Sequence, residues 1–137
     1  MGNAARVLSP ANPGTRKMST AGLRAFFNIA RDWQLDVDQQ LVLLGAPGRS
    51  TFFKWKAAPA EARLGRDTLE RLSYLLGIYK ALQILLPEQS AADAWVRKPN
   101  QAPLFGGRSA LERMLGGNVG DLFAVRQYLD AMRGTWA

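Results

Sequence analysis

The stretch LGAPGRSTFFKWKAA, residues 44–58, decides how the N-terminal half of the chain folds. Its opening Leu-Gly pair is typical of a helix end, because glycine adopts the left-handed conformation that caps a helix. Pro47 and Gly48 then favour a tight turn, and a short helix over about 49–57 follows before Pro59 ends it. Two short helices joined by a turn that contains glycine predict a helix-turn-helix.

The second helix of this predicted motif is both aromatic and basic. Phe52 and Trp55 lie three residues apart, so both can pack inward against the preceding helix. The polar residues then face outward near the N-terminal end, where such a helix contacts base edges in the major groove. We predict that duplex DNA is bound by Arg49, Ser50, Thr51, Lys54 and Lys56. Ring stacking on single-stranded bases and a merely solvated basic helix are the alternatives.

Charge is distributed unevenly along the chain. The 137 residues have a formal net charge of +7, which favours a polyanionic partner. Residues 1–66 contain ten Lys and Arg against four Asp and Glu, whereas the remainder contains eight against seven. The N-terminal half is therefore the expected DNA-binding half.

Helical periodicity continues through the rest of the chain, and no alternating strand pattern occurs, so we predict an all-α fold. Residues 1–19 lack periodicity and are interpreted as a flexible basic arm. The helix-turn-helix domain is expected over 20–66, with a first helix over about 20–33 and a second over 37–44. Polar pairs are expected to cap three of the helices, namely Asp36 with Gln39, Asp67 with Glu70, and Asn118 with Asp121.

The longest predicted helix, about 67–86, is apolar on two faces. One stripe includes Leu72 and Leu76, and a second includes Leu75 and Leu82. A helix with two apolar faces needs two surfaces to pack against. We expect one to be the core of the chain and the other a second copy, so residues 67–94 are interpreted as a homodimerisation region.

Several residue types and segments are missing. The chain contains no cysteine and no histidine, so it lacks disulfides and the commonest general base and metal ligand. The scattered carboxylates fit helix caps better than a catalytic site, and we expect no enzyme activity, cofactor or metal. The first twenty residues have no signal-peptide core, and the most apolar run is short and contains Lys80. A cytoplasmic protein without a membrane span is expected.

The most specific pattern lies in residues 95–137. It consists of a Trp-x-x-x-Pro-Asn start, a Phe-Gly-Gly-Arg loop, a Leu-Glu-Arg-Met-Leu-Gly-Gly helix and a Tyr-Leu-Asp-Ala-x-Arg-Gly-x-Trp-Ala ending. This pattern resembles the C-terminal toxin-binding domain of the Xre/MbcA/ParS antitoxin family. LGAPGRSTFFKWK and RLSYLLGIYKALQIL are similar to the Xre-like helix-turn-helix segment of the same family. Ala110 departs from it, standing where the family often has proline.

The resemblance implies a type II antitoxin with two activities. Such a protein binds and neutralises a RES-domain toxin, an enzyme that breaks down NAD, and it represses its own operon by binding operator DNA. The expected assembly is a homodimer within a larger toxin–antitoxin complex. A stand-alone helix-turn-helix regulator with a C-terminal ligand- or protein-sensing domain is the alternative.

Residues of the C-terminal domain with suitable chemistry are assigned to the toxin interface. Glycines allow backbone shapes closed to other residues, and a tryptophan beside arginines has the composition of a binding hot spot. The assigned residues are Gly106, Gly107, Arg108, Arg126, Tyr128, Arg133 and Trp136. Burial of Trp136 in its own domain is the alternative.

Overall fold

The computed structural model describes residues 13–136, and side chains within residues 17–134. The described part is all-α, as predicted, and its only β-type pairing is an isolated bridge between Pro99 and Ser109. Its elements are α1 (Pro13–Asp32), α2 (Val37–Leu43), α3 (Arg49–Ala57), a 3-10 turn (Pro59–Glu61), α4 (Arg66–Leu85), α5 (Gln89–Trp95), α6 (Ala110–Met114) and α7 (Val119–Trp136). Within it, no helix is long and apolar enough to cross a membrane.

Helix α1 starts earlier than the sequence pattern indicates. It begins at Pro13, a residue whose fixed φ and missing N–H suit the first turn of a helix. The predicted arm over 1–19 is therefore wrong in its second part, and residues 1–12 lie outside the described residues. The inward face of α1 places Leu23, Phe26 and Trp33 in the core, each at most 1% exposed.

Helices α2 and α3 form the predicted helix-turn-helix. The Asp36 side chain accepts from the Gln39 N–H at 2.7 Å, and the Gln39 side chain accepts from the Asp36 N–H at 3.0 Å. This confirms the capping pair that opens α2. The turn that follows places Gly45 at a φ of 92° and Ala46 at 60°, so the chain reverses through two left-handed residues.

The other capping predictions have different outcomes. Asp67 and Glu70 do not cap α4, whose N-cap is Gly65 without a side-chain hydrogen bond. The capping expectation is wrong because both carboxylates bind side chains one turn along the helix: Asp67 accepts from Arg71 and Glu70 from Tyr74. Asp121 accepts from the Asn118 N–H at 3.2 Å, which is one of the two hydrogen bonds of the predicted capping pair. A complete capping box of Ser109 and Glu112 opens α6 and was not predicted.

Both apolar stripes of α4 pack within the same chain. Helix α1 and helix α7 lie against α4, and the residues of both stripes that are at most 8% exposed are Leu72, Leu75, Ile78, Leu82 and Leu85. Helix α7 folds back and supplies a second apolar surface for α4, while Leu69, Leu76 and Tyr79 of the first stripe remain half-buried. Homodimerisation through residues 67–94 stays a prediction.

Candidate functional site

The outer face of α3 is held in place by one buried phenylalanine. Phe52 is fully buried, and its ring makes edge-on contacts with Phe27 at 5.8 Å and Phe53 at 5.1 Å between centroids. Trp55, which was expected to pack inward as well, is only half-buried. Phe52 is therefore the residue that attaches α3 to the core, and the Phe53 ring remains 46% exposed.

The five residues predicted to bind DNA are all exposed on this short helix. Arg49 contacts the adjacent helix, because its Nη1 lies 2.7 Å from Oδ1 of Asp38. The two side chains are 60% and 84% exposed, and an ion pair of this kind contributes about 0–1 kcal/mol. The pair thus orients the guanidinium at the N-terminal end of α3 while leaving it free to exchange partners.

The N-terminal half carries further basic residues outside α3. They are exposed and form no ion pair within residues 17–134: Lys17, Arg24, Arg63 and Arg66. Lys54 and Arg63 line a groove of about 500 Å³ beside Trp55 and the 3-10 turn. The local sequence pattern does not reveal this grouping, since Arg63 follows a proline break and belongs to no predicted helix.

In the C-terminal half, the Phe-Gly-Gly-Arg loop has the backbone that its glycines suggested. Gly106 and Gly107 have φ values of 59° and 90°, which side chains other than hydrogen rarely allow. The Gly107 N–H donates to the Asn100 carbonyl at 2.8 Å, and the Asn100 N–H donates to the Arg108 carbonyl at 3.0 Å. The loop is therefore closed on itself and presents Arg108 as an exposed side chain before α6.

Tyr128 does not project freely from α7. Its ring stacks on Trp95 with centroids 6.4 Å apart and meets the edge of buried Phe105 at 5.2 Å. The half-buried Tyr128 is part of an aromatic cluster inside the C-terminal domain. Trp95 at the end of α5 and Phe105 in the loop that follows are the two rings that contact it, and its assignment to the toxin interface stays a prediction.

Arg126 also makes contacts within the chain. Its Nε lies 3.0 Å from Asp130, and its Nη1 donates to the Ser73 carbonyl of α4 at 3.4 Å. A Cβ atom at Gly77 would overlap the guanidinium, so the arginine lies across α4 where that helix has no side chain. Arg126 therefore joins α7 to α4 while its side chain stays 34% exposed, and its assignment to the toxin interface stays a prediction.

Two residues assigned to the toxin interface, Arg133 and Trp136, lie at the end of α7. Arg133 is half-buried, with its Nη1 4.0 Å from Asp130. Trp136 belongs to the last turn of the helix, but its side chain lies outside the described residues, so its two alternatives stay open. Among the described residues, no cluster of acidic side chains could hold a metal ion.

One tyrosine connects the two halves and has a perturbed acidity. Burial, followed by the hydrogen bond from its hydroxyl to Asp32 at 2.7 Å, raises the pKa of Tyr79 above the usual 10.0. Gln89 of α5 donates to the same hydroxyl at 3.1 Å. The phenol thus remains neutral at physiological pH and links α1, α4 and α5.

These features define a two-part helical protein, with a helix-turn-helix in front and a small helical domain packed behind it on the shared helix α4. The sequence matches the profile of the antitoxin Xre-like helix-turn-helix domain over residues 15–77. It also matches the antitoxin Xre/MbcA/ParS C-terminal toxin-binding domain over residues 81–134. The chain belongs to this antitoxin family, and its role is regulatory rather than enzymatic.

Other comparisons add one relative and no structure. The chain is 56% identical over 114 residues to the uncharacterized protein y4oB of Sinorhizobium fredii (strain NBRC 101917 / NGR234), covering 83% of this chain and 85% of that protein. No solved structure matches the chain. The two profile matches end and begin inside α4, whereas a separate central region over 67–94 was expected.

Proposed function

We propose that this antitoxin neutralises a RES-domain toxin that degrades NAD, and that it represses its own operon by placing α3 in the major groove of operator DNA. The observation that carries the DNA-binding half of the proposal is the division of α3 into two faces. Phe52 is fully buried, while Arg49 and Lys54 on the opposite side are exposed. A short helix anchored on one side and basic on the other fits the major groove.

The cations around α3 extend this face. Phosphate contacts position a protein on the duplex, whereas base contacts specify the sequence. Arg49 and Thr51 occupy the first turn of α3 and are our candidates for base contacts. Lys54, Lys56 and Arg63 are our candidates for phosphate contacts, because they lie further along the chain and have no acidic partner in the described part. A homodimer would place two such helices about 34 Å apart on an inverted repeat.

The toxin-binding half of the proposal rests on two features of the C-terminal domain. The closed glycine loop presents Arg108 to solvent, and α7 ends in the segment that contains Arg133 and Trp136. A rigid loop lowers the entropy lost on binding. We therefore assign toxin contact to residues 106–108 and to the last turn of α7.

Two substitutions that remove the same charge from opposite halves test the proposal. We expect Arg49→Ala to weaken binding to a duplex from upstream of the gene by about 1–3 kcal/mol if the arginine makes a bidentate base contact. Toxin neutralisation should be unchanged. Arg108→Ala should leave DNA binding unchanged and weaken neutralisation.

The measurements are a gel-shift titration, and NAD consumption by the co-purified product of the neighbouring gene with increasing antitoxin. If neither substitution separates the two activities, the assignment of one face to each activity is wrong. If the chain binds DNA but does not co-purify with the neighbouring product, the stand-alone regulator becomes the better description.

A further inference from the structure

Helix α2, which carries the reading helix α3 through a short turn, is held at both of its ends by arginines. Arg97 holds the corner before α2, and Arg71 holds the end of α2 and the turn after it. Neither arginine belongs to α2, α3 or the turn between them, and both link this motif to the C-terminal half. The orientation of α3 therefore depends on contacts that its own segment does not contain.

Arg97 lies in the turn after α5, inside the region matched by the toxin-binding domain. Its Nε donates to the Trp33 carbonyl at 3.0 Å, and its Nη2 donates to the Gln34 carbonyl at 2.7 Å. These carbonyls follow the last turn of α1, where backbone acceptors have no partner within the helix. Gln34 has a φ of 56°, a left-handed conformation that is unfavourable for a residue with a side chain. The planar guanidinium thus stabilises a strained corner with two hydrogen bonds at once.

Arg71 makes the corresponding contacts at the other end of α2. Its residue is 8% exposed, and its Nε lies 2.8 Å from Asp67. One terminal nitrogen donates to the Val42 carbonyl at 3.5 Å and the other to the Gly117 carbonyl at 3.0 Å. Gly117 belongs to the turn between α6 and α7, so one buried side chain joins the end of α2 to the C-terminal domain.

We propose that Arg71 and Arg97 are positioning residues for DNA recognition, which set the orientation of α2 and α3 by joining them to the C-terminal half. This inference rests on the proposed function for its effect on DNA affinity. It predicts that substitutions far from the reading face weaken DNA binding, and that the toxin-binding half and the reading helix are mechanically coupled. Neither arginine needs to touch DNA for this effect.

A substitution that keeps the charge separates geometry from electrostatics. Arg97→Lys retains the positive charge but cannot form both hydrogen bonds of the fork. Lys98→Ala, its neighbour, removes a charge from an exposed side chain that makes no ion pair in the described part. If Arg97 acts by positioning, Arg97→Lys should lower DNA affinity strongly and Lys98→Ala only slightly. If it acts by simple attraction to DNA, Lys98→Ala should have the larger effect.

The first measurement uses the full-length protein without DNA. Amide hydrogen exchange over residues 36–46 should become about tenfold faster in Arg97→Lys, the change expected for the loss of a charge-assisted hydrogen bond. Exchange in α7 of Arg97→Lys should match that of the parent. The melting temperature of Lys98→Ala should also match that of the parent. Equal exchange over residues 36–46 in parent and Arg97→Lys would overturn the inference. An equal increase in all helices would overturn it too, since it would indicate global destabilisation.

The second measurement is the affinity for a duplex from upstream of the gene, taken well below the melting temperature. We expect Arg97→Lys and Arg71→Lys to weaken binding by about five- to tenfold, and Lys98→Ala by less than about twofold. Adding Gln34→Gly to Arg97→Lys should recover most of the affinity, because glycine adopts the left-handed corner without the arginine. Unchanged affinity in both lysine variants would overturn the inference.

The two measurements distinguish failure of this inference from failure of the proposed function. If the parent does not bind the duplex but residues 36–46 respond to Arg97→Lys, DNA recognition is wrong and the positioning of α2 is supported. If Arg49→Ala abolishes binding while both lysine variants bind like the parent, DNA recognition is supported and the positioning is wrong.

Discussion

Replacement of Gly45 by alanine should lower the free energy of unfolding more than the addition of a methyl group at any other position of the helix-turn-helix turn. Gly45 has a φ of 92°, and an added Cβ would lie 2.7 Å from Oδ2 of Asp67 and 3.0 Å from Nε of Arg71. The next residue, Ala46, tolerates a φ of 60°, so a left-handed backbone alone does not forbid a side chain. What distinguishes Gly45 is its contact with the Asp67–Arg71 pair.

The magnitude follows from two contributions. A left-handed conformation costs a residue with a Cβ about 1–2 kcal/mol. Displacing Asp67 leaves a buried Arg71 donor without its partner, which costs about 1–3 kcal/mol. Because part of the strain can relax through movement of the exposed Asp67, we expect Gly45→Ala to lower the free energy of unfolding by about 2–4 kcal/mol.

Urea denaturation followed by circular dichroism measures this difference, with Gly48→Ser as the matched control. Gly48 is the N-cap of α3, has a φ of −60°, and has no atom within 4 Å of a built Cβ. Serine there should be neutral or stabilise the protein by up to about 1 kcal/mol, because its hydroxyl can cap the helix. A Gly45→Ala protein within about 0.5 kcal/mol of the parent would refute the reasoning, since ordinary surface substitutions fall in that range.

Three further predictions concern residues in other parts of the molecule. Phe52→Ala should destabilise the protein by about 3–5 kcal/mol, measured by urea denaturation, because a fully buried ring leaves a cavity; an effect below about 1 kcal/mol would mean that α3 is attached elsewhere. Because the folded state raises the pKa of Tyr79 above 10.0, its contribution to stability is present below pH 10 and is lost as pH rises through the raised value. Tyr79→Phe should reduce this alkaline loss in denaturation curves, and an identical loss in both proteins would count against it. Trp136→Ala should cost about 2 kcal/mol or more of toxin affinity with an unchanged melting temperature if Trp136 fills a pocket on the partner; a lower melting temperature with equal toxin affinity would instead place it in the core of its own domain.

Local features of the structure could be predicted because neighbouring residues determine them. The Asp36–Gln39 pair opens α2 where expected, since a capping box involves residues only three apart. The bounds of α3 match the prediction because a glycine turn and a proline flank it. The same local signal, Ser109 followed by Glu112, opens α6.

Side-chain partners could not be predicted in this way. Helical periodicity places Arg126 and Tyr128 on α7, but it does not indicate what lies opposite them. The gap over Gly77 takes up Arg126, and Trp95 and Phe105 enclose Tyr128. These partners come from segments distant in the chain, so the sequence pattern of α7 does not reveal that the two side chains contact them.

The sequence by itself determined the helices, the helix-turn-helix and the resemblance to the antitoxin family. These depend on capping, turn residues and motif spacing, which act over a few residues. Only the tertiary structure decided that α1 and α7 both pack against α4 within one chain, and that Arg71 and Arg97 hold the two ends of α2. Such contacts join residues 29 to 64 positions apart, and they form only because burying the apolar faces of α1, α4 and α7 brings those segments together.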